Sequence, residues 1–281
     1  MSTSVAGRVV IVLVEPLQPG NVGAAARAMR NFGLEELVLV APPAYDPERA
    51  RWMAPGCADL LARARIVATL DQALDGVSRL FGTTARHRRL GQTVIEPPEL
   101  ATRVIDDPER ATAILFGRED SGLANDAIRR CEALVRIATA EHASLNLAQS
   151  VLLVAHHLYE EQRRRGRPSP GRTLAGTGPP TTTADAIPAS DRDRLADLVA
   201  IDPAVEALIG LLGRVGYLRG TAPDKVRATA NQALQQARLS VRHVEALRGM
   251  VARIGHALDD ADGAPDRGDG DGGDREPDRD R

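Results

Sequence analysis

"RVVIVLVEPLQPGNVGAAARAMRNFG", residues 8–33, decides how the rest of the chain is read. Its six apolar residues at 9–14 are too few for an ordinary helix and suit a strand buried on both faces. Pro19 and Gly20 turn the chain, and residues 21–32 then follow helical spacing. Strand, turn and helix in this order open a nucleotide-binding βαβ unit, yet the G-x-G-x-x-G fingerprint is missing. The helix is built instead from Gly23, Ala24, Ala25, Ala26 and Ala28, with Arg27 among them. Side chains this small let another backbone or a ligand come close. Gly23, Arg27 and Arg30 are spaced by four and three, so they share a face. A guanidinium raised above small residues suits a phosphate, although a tightly packed helix with solvated arginines has the same pattern. Asn21 is placed to cap the helix by accepting from amides two or three residues on.

Outward from this unit, strands are expected at residues 37–41, 65–68, 78–84, 113–116 and 134–137. Helices are expected near 57–64, 71–75, 98–104, 123–130 and 145–163, with a proline-rich loop before the first of these. The alternation predicts an α/β fold: a mostly parallel sheet with helices on both faces. Residues 1–163 form this first domain. Residues 164–190 are rich in Pro, Gly and Thr and read as a linker, basic at its start. Residues 191–258 are a helical extension, with one long stretch from 224 to 258 that Asp224 caps after Pro223. Residues 259–281 form an acidic Gly/Asp tail whose composition predicts disorder.

The formal net charge of the 281 residues is −2, but the tail holds ten acidic residues and four arginines, a net of −6. The remaining chain is therefore +4, compatible with a polyanionic partner. No apolar run approaches the ~18 residues of a membrane span. The N-terminus lacks the pattern of a signal peptide, so a cytoplasmic location is expected. Two cysteines, Cys57 and Cys131, with no C-x-x-C or Cys/His cluster, read as buried thiols; no metal is expected.

Three further stretches could carry chemistry. "LFGTTAR", residues 80–86, runs a strand into Gly82, Thr83 and Thr84 and then into Arg86, Arg88 and Arg89. Hydroxyl residues at the end of a parallel strand lie where open α/β sheets bind ligands. "ILFGREDSGLAND", residues 114–126, ends another strand in Gly117, with Arg118, Glu119 and Asp120 in the turn. "IATAEHASLNLAQSV", residues 137–151, places Ser144 and Asn146 at the start of a long helix. At least one of them is expected to cap that helix, and both could orient a hydroxyl or carboxylate. His142 reads as a loop histidine.

Taken in order, "GNVGAAARAMRNFG", "GTTAR", "FGREDSGL" and "SLNLAQS" resemble the motifs of the SPOUT RNA methyltransferases, and most of all their tRNA ribose 2′-O-methyltransferases. The likeness covers residues 8–160, and the helices beyond 191 are similar to the C-terminal extension of that group. "GTTAR" stands where "GTSAR" is common, and Thr84 keeps the hydroxyl. The resemblance implies a parallel sheet with a C-terminal trefoil knot, bound S-adenosylmethionine, and a homodimer with its site at the subunit interface. It implies methyl transfer to a 2′-hydroxyl of RNA, of the type at position 32 of the tRNA anticodon loop, a cytidine or uridine. Ribosomal RNA as substrate, and a non-catalytic RNA-binding protein of the same fold, are the alternatives.

By the same resemblance, Arg27, Asn21, Ser144 and Asn146 are the catalytic group. Thr83, Thr84, Ala85, Gly117, Glu119, Ile137, Ser144, Leu145 and Asn146 bind the cofactor, and Glu119 ties its loop to the partner subunit. Arg30, Arg86, Arg88 and Arg89 are candidate RNA contacts. With an aromatic content of only 2%, recognition by RNA shape and phosphate is expected rather than by stacked bases.

Overall fold

Seven strands form one sheet in the order β3-β2-β1-β6-β4-β7-β5, every pairing parallel. They are β1 (Val9–Val14), β2 (Glu36–Val40), β3 (Arg65–Val67), β4 (Arg79–Thr83), β5 (Val94–Ile95), β6 (Thr112–Phe116) and β7 (Ala133–Val135). The computed structural model describes residues 9–85, 92–140, 144–166, 194–218 and 222–262. Arg86, Arg88, Arg89 and His142, most of the expected linker, and the tail from 263 lie outside the described residues.

The alternation within each strand builds two apolar layers. Val9, Ile11 and Leu13 of β1 and Ile114 and Phe116 of β6 point into one core. Val12, Ala113 and Leu115 point into the other. The first layer is covered by α1 (Pro19–Asn31), α2 (Pro47–Trp52), α3 (Ala58–Arg63), α5 (Pro97–Asp106) and α7 (Leu147–Arg164). The second is covered by α4 (Leu70–Ala73) and α6 (Asn125–Arg130), and Leu198, the first residue of α8 (Leu198–Arg214), is fully buried there. A smaller third core joins α8 to α9 (Pro223–Gln236) and α10 (Val241–Asp262).

The C-terminal helices are held to the sheet by polar contacts as well. The Gln235 side chain accepts from the Leu80 amide at 3.2 Å and donates to the Arg130 carbonyl at 2.7 Å. Asn231 donates to the Arg129 carbonyl at 3.1 Å. These carbonyls end α6 and have no partner within their own helix.

Several expectations are corrected. The first helix starts at Pro19 with Gln18 as its N-cap, and Asn21 does not cap it. Its side chain is engaged elsewhere, as described below. The "proline-rich loop" contains α2, capped by Asp46, which accepts from the amides of Glu48 and Arg49. The short β5 was also not expected, because two residues carry no readable period. The helix expected from 224 to 258 is two helices, broken where Arg238 takes φ +52°. Its cap is Ala222 rather than Asp224, because Pro223 takes the first helical position, where a missing N–H costs nothing. Cys57 and Cys131 are buried and free, as expected.

Candidate active site

A cavity of about 370 Å³ opens at the C-terminal edge of the sheet, where β4, β6 and β7 end. Parallel strands leave their loops together on this edge, which is where such sheets bind ligands. The volume is in the range of small-molecule sites, roughly 300–1,000 Å³. Thr83, Thr84 and Ala85 line it from the end of β4, Gly117 and Glu119 from β6, and Ile137, Ser144 and Leu145 from the β7 side. Eight of the nine residues expected to hold the cofactor are thus brought together from three distant stretches. Asn146 is the ninth and does not line the cavity.

The loop after β6 is folded tightly on itself. Gly117 sits against the backbone of Gly122 and Leu123 so closely that a Cβ there would fall 2.3 Å from both. Arg118 grips Asp120 through Nε and Nη2, at 3.1 and 2.9 Å, and reaches Glu15 at the end of β1 at 3.1 Å. Asp120 also accepts from Ser121 at 2.8 Å, and the Arg118 guanidinium, with that hydroxyl, holds its carboxyl far below the usual carboxylate range. Glu15 takes φ +49°, a left-handed conformation that side chains rarely adopt. Glu15 is 103 positions from Arg118, so no local signal in the sequence reveals the pairing.

Glu119 is the junction of the site. Its carboxylate accepts from the amides of Leu17 at 2.8 Å and Gln18 at 3.3 Å, and from the Asn21 side chain at 2.8 Å. Asn21 in turn accepts from Asn146 Nδ2 at 3.0 Å. Asn146 Oδ1 accepts from the amides of Ala148 and Gln149 and caps α7, with Gln149 completing a capping box. One directed chain of hydrogen bonds therefore runs from the start of α7 through Asn146 and Asn21 to Glu119, in the loop after β6. Burial raises the Glu119 carboxyl, but the bonds from Asn21 and Leu17 outweigh it, and the group rests below its ordinary value. Within this chain Glu119 ties the cavity loop to α1.

Other expected residues lie apart. Arg27 is exposed on α1 and is not among the residues lining the cavity. Arg30 is paired with Asp59. The Thr83 hydroxyl donates to the Leu115 carbonyl at 3.0 Å, so its proton is committed to the sheet. Gly23 serves packing: a Cβ on it would lie 1.9 Å from the Ala50 carbonyl oxygen of α2. The small-residue face of α1 therefore meets another backbone. Among the described residues no group of three or more His, Cys, Asp or Glu could hold a metal, and no helix is long and apolar enough to cross a membrane.

The parallel sheet, with its cavity at the ends of β4, β6 and β7, defines an open α/β protein of the kind that binds ligands at this edge, and its structural likeness to TrmJ, given below, places it in the SPOUT methyltransferase class. Within that class the chain belongs to the SpoU rRNA Methylase family, whose model matches residues 8–156. It is 33% identical over 266 residues to the tRNA (cytidine/uridine-2′-O-)-methyltransferase TrmJ of Yersinia pestis strain Pestoides F, covering 93% of this chain and 95% of that one. It is 42% identical over 154 residues to the tRNA (cytidine/uridine/adenosine-2′-O-)-methyltransferase TrmJ of Pseudomonas aeruginosa, a match that covers 54% of this chain and 60% of that one. The crystal structure of TrmJ from Z. mobilis ZM4 is similar, with a TM-score of 0.65 at 26% identity, over 88% of this chain and 98% of that one.

Proposed function

We propose that the chain methylates a ribose 2′-hydroxyl of tRNA, using S-adenosylmethionine. The observation that carries this reading is the convergence of Thr83, Thr84, Ala85, Gly117, Glu119, Ile137, Ser144 and Leu145 on one cavity, with Asn21 hydrogen-bonded to Asn146 and to Glu119 beside it. The relatives' names, tRNA cytidine/uridine 2′-O-methyltransferases, support tRNA and a pyrimidine ribose as the substrate; an anticodon-loop target of the position-32 type is part of the same proposal.

The cavity fits the cofactor. Gly117 leaves no room for a side chain and brings backbone to its wall, and Glu119 adds a carboxylate there, while the charge of Asp120 is matched by Arg118. Bound there, S-adenosylmethionine supplies an electrophilic methyl group. The protein has to deliver the hydroxyl and ease loss of its proton. Ser144 is exposed on the cavity wall and offers a hydroxyl to orient the ribose. Arg27 is the cation that holds the adjoining phosphate and favours the alkoxide electrostatically; as a guanidinium it is not the base. Because Arg27 does not line the cavity of its own chain, we place it in the cavity of a second copy, in a homodimer.

The same reading includes the trefoil knot, supported by β7 lying between β4 and β5 although both precede it in the chain. It also includes a cytoplasmic location and the division near residues 163, 190 and 258, although α7 continues to Arg164 and α10 to Asp262, past the first and last of these bounds. Arg86, Arg88 and Arg89 remain the proposed phosphate contacts; Arg30 would first have to leave Asp59. The test is Arg27→Ala, assayed with tRNA transcripts and labelled cofactor. Methyl transfer should fall at least a hundredfold while cofactor affinity stays within about twofold. Transfer at the wild-type rate would refute the assignment.

A further inference from the structure

Trp52 is the chain's single tryptophan, and it stands 77% exposed at the last position of α2. Met53 beside it is 52% exposed. The side chain is large and apolar, and leaving it in water forgoes a substantial burial gain. The chain has only seven aromatic residues, and it presents the largest of them to solvent.

The platform under Trp52 is closely packed. Asp46 caps α2, Ala50 is fully buried, and its carbonyl abuts Gly23 of α1. Met53 Cγ lies 3.5 Å from the position a Cβ would take on Gly20. Gly20, Gly23 and Arg27 follow at intervals of three and four, so α2 sits on the face of α1 that carries Arg27. The strand order sets the wider position. The segment after β2 adjoins the one after β1, which holds Leu17 to Asn21, and that adjoins the cavity loop after β6. Arg49 and Arg51 are on the same short helix, each in an exposed i,i+3 pair, with Asp46 at 3.4 Å and Glu48 at 2.7 Å. Such pairs are weak, so a phosphate can take either guanidinium over.

We propose that Trp52, backed by Met53, stacks on an unpaired base of the RNA beside the ribose that is methylated. The inference rests on the proposed RNA methyl transfer. It revises the expectation that scarce aromatics exclude stacking: one exposed indole on the helix that packs against α1 is enough to hold one base.

A lone tryptophan reports on itself. The full chain, with S-adenosylmethionine, is titrated with a tRNA anticodon stem-loop while intrinsic fluorescence is read and binding is measured separately by filter retention. Binding should quench the emission, and a stem-loop with abasic loop positions should quench it far less. Trp52→Ala should raise KM for the stem-loop roughly tenfold, the loss of about one stacked base, with kcat within about twofold and Trp52→Phe restoring most of it. Unchanged emission at saturating RNA, or an unchanged KM in Trp52→Ala, overturns the inference while wild-type turnover still upholds the function. A shift of Trp52→Ala to a smaller species in sedimentation also overturns it, because the surface then joins two copies. Absence of methyl transfer by the wild type overturns the functional reading and this one together.

Discussion

Glu119 shows how much one side chain can carry. It satisfies two backbone amides at the start of α1 and the Asn21 amide, and the positive end of the α1 dipole favours its charge. Glu119→Ala leaves those donors without their acceptor, at a cost of about 1–3 kcal/mol in a partly buried setting. The Cm for urea unfolding should drop, and cofactor affinity with it, because the cavity loop loses its tie to α1. The pH dependence follows from the direction of the shift. The folded carboxyl sits below its unfolded value, so its contribution is complete above that value and is lost as pH falls through the folded one. Wild type should therefore lose stability in the acid range faster than Glu119→Ala, and urea titrations at pH 7 and in the acid range will measure it. Gly117→Ala is a second test at this scale. Its methyl would meet the Gly122 and Leu123 backbone at 2.3 Å, so the loop must move. Cofactor binding should fall at least tenfold in calorimetry while the far-UV spectrum is retained.

At the scale of elements, the alanine-rich α1 is explained by its neighbours. It packs against α2 and α7, and Gly23 allows the α2 contact to be backbone on side-chain-free helix. Gly23→Ala should destabilise the protein by about 1–3 kcal/mol, the usual cost of overpacking. That is more than the small gain alanine gives within a helix, so the sign of the change distinguishes packing from propensity. A drop in thermal midpoint confirms it; a rise would show that α2 yields freely. Asn146 illustrates a double task at this scale. It caps α7 and passes a hydrogen bond to Asn21, so the long helix and the cavity loop are set by one residue.

At the scale of the whole molecule, the C-terminal helices close the second face of the sheet. Leu198 is buried with Val12, Leu80 and Leu115, its amide donates to the Val77 carbonyl at 2.8 Å, and Gln235 fills the unpaired Leu80 amide. Gln235 is 1% exposed, so Gln235→Leu strands a buried N–H and a buried carbonyl at about 1–3 kcal/mol each. The expected outcome is faster hydrogen exchange in β4 and α6 together. Protection lost in α9 alone would show that the helices and the sheet are uncoupled.

The sequence by itself determined the strand–helix alternation, most strand positions to within a residue or two, and the loops that supply the cavity. Each of these is written in a local period, an apolar run or a glycine at a strand end. It also determined that Ser144 or Asn146 would cap a helix, because Ser, Thr, Asn and Asp favour that place for a local reason; the structure chose Asn146. Only the tertiary structure decided the strand order, the Arg118–Glu15 pair, the transfer of Asn21 from capping to the Glu119 junction, and the exposure of Trp52. These depend on residues 98 to 125 positions apart meeting across a parallel sheet, or on what is left uncovered once everything else has packed. Local propensity reaches a few residues along the chain. Hydrogen bonds made across folded layers are chosen by the geometry of the layers, and no stretch of sequence read alone contains that geometry.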